Sequence, residues 1–168
     1  MVKDESDVFL SETHGTIQFE EVITYIKTYL EEKPYAEYSL VIGTDSQEKT
    51  NERKTISLIT AVVVHRKGHG GKFFWQKKRK TNIHTLREKI YAETLTSLAF
   101  ATKFVPTLKK ALNGHSPRYN LEIHVDVGEH GETRDMIKEV VGIVTGNGFI
   151  AKTKPHAYGA SYVADRYT

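Results

Sequence analysis

The chain has 168 residues, 39% of them hydrophobic, enough for one sizeable core and too few for a separate substrate-binding domain. It contains no cysteine, which excludes a disulfide framework, thiolate metal sites and thiol nucleophiles. Lys and Arg number 24 against 21 for Asp and Glu, a net charge of +3 that is too small to identify a nucleic-acid partner; the acidic, polar Met1–Ser11 and the lack of a run of ~20 apolar residues predict a cytoplasmic protein with no membrane span.

Phe19, Val22, Ile23, Ile26, Tyr29 and Leu30 recur at helical spacing between charged residues, so an amphipathic helix is predicted near 17 to 32, ended by Pro34. Tyr38 to Thr44 reads as a buried strand, and the polar stretch Gln47 to Lys54 after it as a loop. Thr55 to His65 is β-branched and apolar enough for the middle of a sheet. The glycine-rich Lys67 to Gly71 turns the chain into a third, antiparallel strand from Lys72 to Lys80.

Leu86, Ile90, Leu95 and Leu98 mark a long helix from Thr85 to Phe104, closed by Pro106. A loop from Asn113 to Asn120 leads into the alternating strand Leu121 to Val127. Ile137, Val140, Val141 and Val144 give another helix, Phe149 to Lys154 a short strand, and Tyr158 to Tyr167 a last helix. Three antiparallel strands followed by alternating β and α elements imply an α/β domain. The expectation is a mixed five-stranded sheet flanked by helices, a single domain over residues 1–168 in which 1–36 form an N-terminal helical extension.

Four acids stand where an apolar residue would otherwise be expected: Asp45 at the end of the first strand, Glu93 beside the apolar stripe of the long helix, Asp126 near the end of an apolar strand, and Asp165 after Val163 and Ala164. Ligands in open α/β sheets gather at strand ends, which makes Asp45 and Asp126 candidate neighbours. Four clustered carboxylates repel and protonate unless a cation sits among them. Oxygen-only ligands suit Mg²⁺ or Mn²⁺, and two ions about 4 Å apart would serve phosphodiester hydrolysis. Each acid also has a plainer reading: Asp45 and Asp126 as turn formers, Glu93 as a solvated stripe edge, Asp165 as a partner of Arg166.

Lys77, Lys78, Arg79 and Lys80 follow Phe73, Phe74 and Trp75, a pairing of cations with stacking surface that nucleic-acid grooves use. Guarding a sheet edge against aggregation is the other reading of the same lysines.

Asp45 in Gly-Thr-Asp-Ser, Glu93 in Tyr-Ala-Glu-Thr-Leu, Asp126 in His-Val-Asp-Val and Asp165 in Val-Ala-Asp together resemble the Asp-Glu-Asp-Asp set of ribonuclease H. The segments Ile42 to Gln47, Glu122 to Gly128 and Lys154 to Thr168 are similar to the YkuK family of bacterial ribonuclease H-like proteins, a likeness that covers nearly the whole chain. The resemblance implies a ribonuclease H-like fold and a nuclease acting on RNA, RNA-DNA hybrid or structured DNA, leaving a 5′-phosphate and a 3′-hydroxyl. It also implies that His156, nine positions before Asp165, assists proton transfer or product release; a histidine after proline also suits a surface or capping role. His124 and His130 lie close enough in sequence to Asp126 to line the same site. Proofreading exonucleases of this scaffold carry two acids two apart on the first strand, and here Gln47 takes the second position. The competing reading is a non-catalytic module that binds nucleic acid or protein. A small-molecule phosphate enzyme finds no support, because no glycine-rich phosphate loop is present.

Overall fold

Three long strands, and the helices covering one of their faces, position Asp45, Glu93 and the basic run in a computed structural model that describes residues 8–48, 53–114, 118–154 and 156. Strands β3 (Tyr38–Glu48), β4 (Ile56–Arg66) and β5 (Gly71–Lys80) form the antiparallel meander. Before it come the hairpin β1 (Val8–Ser11) and β2 (Gly15–Gln18) and helix α1 (Phe19–Glu32). After it come α2 (Leu86–Leu112), β6 (Tyr119–His124), a 3₁₀ turn (Arg134–Met136) leading into α3 (Ile137–Gly146), and β7 (Ile150–Lys152). The sheet order is β2-β1-β5-β4-β3-β6-β7, with β3, β6 and β7 parallel to one another and every other pairing antiparallel.

The expected mixed α/β sheet is therefore present, with seven strands among the described residues rather than five. The additional pair is the β1–β2 hairpin, at the N-terminal edge where sequence predicted only a helical extension. These four-residue strands carry little local pattern. They are held by burial of Phe9 and Ile17 in the main core and by pairing of Leu10 with Trp75. The predicted last helix, and Asp165 with it, lies outside the described residues.

Period-two alternation divides the sheet into two surfaces. Tyr38, Leu40 and Ile42 of β3, Val62 and Val64 of β4 and Phe74 of β5 join α1, α2 and α3 in the main core. Ile59, Ala61 and Trp75 form a second apolar cluster, and the strand alternation places them on the other surface. The β4–β5 turn is tight: a Cβ on Gly71 would collide with the carbonyl oxygen of Val64. Gly71→Ala is expected to cost about 1–3 kcal/mol, read as a lower urea midpoint with an unchanged slope; an unshifted midpoint would show that the turn relaxes freely.

Helix α2 runs on to Leu112, past the stop predicted at Pro106. Proline inside a helix costs ~3 kcal/mol, but Leu108 and Leu112 beyond it are buried in the main core, and such burial contributes ~1.5–3 kcal/mol per side chain. Tertiary packing thus overrides the local breaker. Thr85 caps the other end, its Oγ1 accepting from the Glu88 amide at 3.1 Å while the Glu88 carboxylate accepts from the His84 amide at 2.9 Å. Among the described residues no helix is long and apolar enough to cross a membrane.

Candidate active site

A polar column runs between the end of β3 and α2. Thr44 and Ser46 occupy the same alternating positions as Leu40 and Ile42 and so meet the helix. The Thr44 hydroxyl lies 2.8 Å from that of Ser97 and 3.0 Å from that of Thr60. One helical turn away, the Ser46 hydroxyl donates to Glu93 Oε1 at 2.5 Å. Glu93 is only 3% exposed, three residues after buried Ile90, and its Oε2 has no hydrogen-bond partner. Burial pushes its carboxyl up to about 7; the Ser46 bond opposes this, nearby Asp45 adds to it, Lys89 opposes it and Asp126 adds to it. Asp45 and Asp126 thus both lie close enough to Glu93 to disfavour its charge.

Their carboxylates approach from different sides. Asp45 is half-buried on β3, cross-strand from Ile59, so it belongs to the surface opposite Ser46; its Oδ1 accepts from the Ser46 amide at 2.9 Å. Gly43 pairs with His124 on parallel β6, which puts Asp45 and Asp126 each two residues beyond that pair. Asp126 sits just past the ladder in a tight turn closed by the Val127 amide on the Val125 carbonyl, 2.9 Å. The chain beyond β7 lies against this turn: the Lys154 amide donates to the Val127 carbonyl at 2.8 Å, and Lys154 Nζ is 2.8 Å from Asp126 Oδ1.

Neither Ser46 nor Lys154 was singled out from sequence. For Ser46 a signal existed, since strand alternation beside Asp45 aims it at the helix. For Lys154 none did, because its contact depends on β7 pairing in parallel with β6.

An oxygen-only set containing a buried, unpartnered Glu93 Oε2 fits a hard divalent cation in kind. As arranged, Ser46 holds one Glu93 oxygen and Lys154 one Asp126 oxygen, and no group of three or more His, Asp or Glu among the described residues is close enough to hold a metal. His156 is exposed in a bend, its amide donating to the Thr153 carbonyl at 2.8 Å. His124 is buried, with Nε2 3.2 Å from Glu122 Oε2; burial lowers its pKa, against the pull of Glu122. His130 is exposed.

The basic run is divided by the strand that carries it. Lys77 and Arg79 align across β4 with Asp45 and Gln47, whereas Lys78 and Lys80 align with Ser46 and Glu48 on the α2 side. Trp75 is 8% exposed and packs with Ile59 and Ala61, its ring centroid 5.8 Å from that of Phe73.

A mixed sheet covered by helices, with one aspartate inside a long strand, another just past the end of the adjacent parallel strand and a glutamate on the intervening helix, defines an α/β protein of ribonuclease H-like architecture. A family model described as Ribonuclease H-like matches residues 21–168. The chain is 33% identical over 175 residues to "Uncharacterized protein YkuK" of Bacillus subtilis (strain 168), covering 98% of both chains. The protein belongs to the ribonuclease H-like family, in its YkuK group. No solved structure gives a significant match.

Proposed function

We propose that this protein is a divalent-metal-dependent nuclease that hydrolyses phosphodiester bonds of RNA, RNA-DNA hybrid or structured DNA in a cytoplasmic setting. The observation that carries the reading is the buried Glu93 carboxyl, unpartnered at Oε2 and raised by burial and by two neighbouring aspartates. A buried acid with one oxygen left unpartnered is costly to keep, and a cation removes the cost. Asp45 and Asp126 would flank two Mg²⁺ or Mn²⁺ ions, with Glu93 completing one and Asp165 the other. Ions bound there would supply Lewis-acid polarisation of the phosphodiester and charge neutralisation in the transition state.

The chain's own groups do the rest. Ser46 holds Glu93 in one rotamer, and Lys154 balances Asp126 until a cation replaces it. His156, exposed at the end of the described chain, is proposed to move the proton to or from the departing strand.

A non-catalytic nucleic-acid-binding module is favoured by one observation, the Lys154–Asp126 ion pair, which already neutralises a would-be ligand. Cleavage of labelled hybrid, single-stranded RNA and four-way junction with Mg²⁺ or Mn²⁺ separates the two readings. The nuclease requires metal-dependent cutting that falls to background in both Asp45→Asn and Asp126→Asn. No cutting by the wild type on any substrate, with binding that survives both substitutions, would leave the module.

A further inference from the structure

The division of the basic run between the two sheet surfaces has a specific outcome on the α2 side. Lys78 and Lys80 of β5 line one wall of a groove of about 280 Å³, and α2 supplies the other wall with Leu95, Ala99 and Lys103. Among the described residues, no acidic side chain lines it. Apart from Gln76 and Thr96, the lining between the lysines is apolar: Phe100 is buried there, while Leu95 is 50% exposed and Ala99 is exposed. Lys103 lies with Nζ 4.3 Å from the centre of the Phe19 ring, at the mouth of the same groove.

Ammonium groups on both walls of a largely apolar groove match a molecule that alternates phosphate with sugar and base. The volume falls just below the roughly 300–1,000 Å³ of pockets that take drug-sized ligands, so it admits about one nucleotide. A double helix is too wide to enter a cleft between one strand and one helix, whereas an unstacked strand can lie along it with a nucleotide seated and its phosphates on the lysines. The groove also leads toward Glu93. Lys78 is aligned across β4 with Ser46, the residue that holds Glu93, and neighbouring strands are ~4.8 Å apart. Leu95 and Ala99 lie within two turns of Glu93 along α2.

We propose that the groove between β5 and α2 is the binding track for a single-stranded nucleic acid, with Lys78, Lys80 and Lys103 holding its phosphates and Leu95 and Ala99 supporting a sugar or base. This rests on the nuclease reading for the identity of the ligand, and it narrows that reading to a single-stranded segment as the part of the substrate that the protein grips. Lys77 and Arg79, on the other surface, are not part of the track.

The test measures binding without chemistry. Fluorescence anisotropy in EDTA would follow a labelled oligo-uridine or oligo-thymidine of about 12 nucleotides, within the site sizes of single-strand binders, and a hairpin duplex of equal charge. The triple variant Lys78→Gln/Lys80→Gln/Lys103→Gln is expected to bind the single strand about tenfold or more weakly and to flatten the log–log salt dependence by roughly 2, about 0.7 per lost phosphate contact. The control Lys77→Gln/Arg79→Gln, which removes nearly as much charge, is expected to change affinity far less. Leu95→Glu should weaken binding without touching a lysine. Thermal melting is expected to be unchanged in the control and to fall by no more than about 4 °C in the triple variant, which loses the contact of Lys103 with the Phe19 ring.

Equal loss in the triple variant and the control would overturn the track, as would a duplex binding as tightly as the single strand. Equal affinity for poly-glutamate would overturn it too, by assigning the groove to an acidic protein partner. Because these measurements contain no metal, they are independent of cleavage: strand binding intact in a protein that never cuts would sink the nuclease and leave the track standing.

Discussion

Replacing Glu93 with Gln is expected to make the metal-free protein more stable at pH 8 by about 3 kcal/mol and, on the proposed nuclease reading, to abolish divalent-dependent cleavage. The unfolded carboxyl ionises near 4.5, while burial and the neighbouring Asp45 and Asp126 hold the folded one at about 7. Below the unfolded value both states are protonated, and the contribution of this group to stability is fully present. As pH rises, the unfolded chain releases the proton first, so stability falls from about pH 4.5 and the loss is complete once pH passes the folded value of about 7. Gln keeps an acceptor for the Ser46 hydroxyl but cannot ionise, so its stability stays level over that window.

For a chain of this size the gain corresponds to a melting temperature higher by roughly 6–12 °C at pH 8 and nearly unchanged at pH 4.5. Added Mg²⁺ or Mn²⁺ should then raise the melting temperature of the wild type more than that of the variant, since only the carboxylate offers an anionic ligand. Parallel stability curves for the two proteins from pH 4.5 to 8 would show that Glu93 is ionised at no unusual cost. The metal-ligand assignment would then lose its main support.

Arg66→Ala is expected to destabilise the fold by about 3 kcal/mol, more than a typical surface substitution. Helix α1 has Glu20 and Glu21 in its first turn and no basic residue in its last, so its C-terminal carbonyls depend on β4 for a cation. Arg66, 6% exposed, supplies it. Its Nη2 donates to the Tyr29 carbonyl at 2.8 Å and lies 3.3 Å from Glu32 Oε2, and Nε donates to the Tyr38 hydroxyl at 3.1 Å. The guanidinium carbon stands 4.1 Å from the centre of the Tyr29 ring. Tyr38 in turn donates to the Tyr29 and Lys33 carbonyls, at 3.2 and 2.9 Å. One side chain thus closes α1 onto the sheet.

Arg66→Lys should recover less than half of the loss, because an ammonium cannot donate in the two directions of a planar fork. Glu32→Gln should cost under about 1 kcal/mol, since that carboxylate is half exposed. Urea unfolding ranks the three. Equal midpoints for Glu32→Gln and Arg66→Ala would mean that the ion pair, and not the helix cap, carries the energy.

Helix α1, the β3–β5 meander and the carboxylates Asp45, Glu93 and Asp126 were legible in the sequence because each leaves a local mark. A helical or alternating period requires only neighbours in the chain, and an acid inside an apolar run stands out against it. The same local reading stopped α2 at Pro106 and overlooked the hairpin from Val8 to Gln18. In both cases the deciding energy is distant: burial of Leu108 and Leu112 for the helix, and the edge of β5 with the main core for the hairpin. Sequence also showed four adjacent cations after Trp75 but not that strand geometry aims Lys77 and Arg79 toward the surface of Asp45, and Lys78 and Lys80 toward α2. It placed Glu93 near an apolar stripe without revealing that Ser46 would hold it or that one of its oxygens would be left without a partner. The sequence by itself determined which residues carry charge and which faces are apolar, since both are properties of single side chains and their periodicity. The tertiary structure decided what those charges meet: Lys154 reaches Asp126, and Arg66 the end of α1, only because strands distant in sequence lie side by side, and side-chain interaction energies depend on distance and burial.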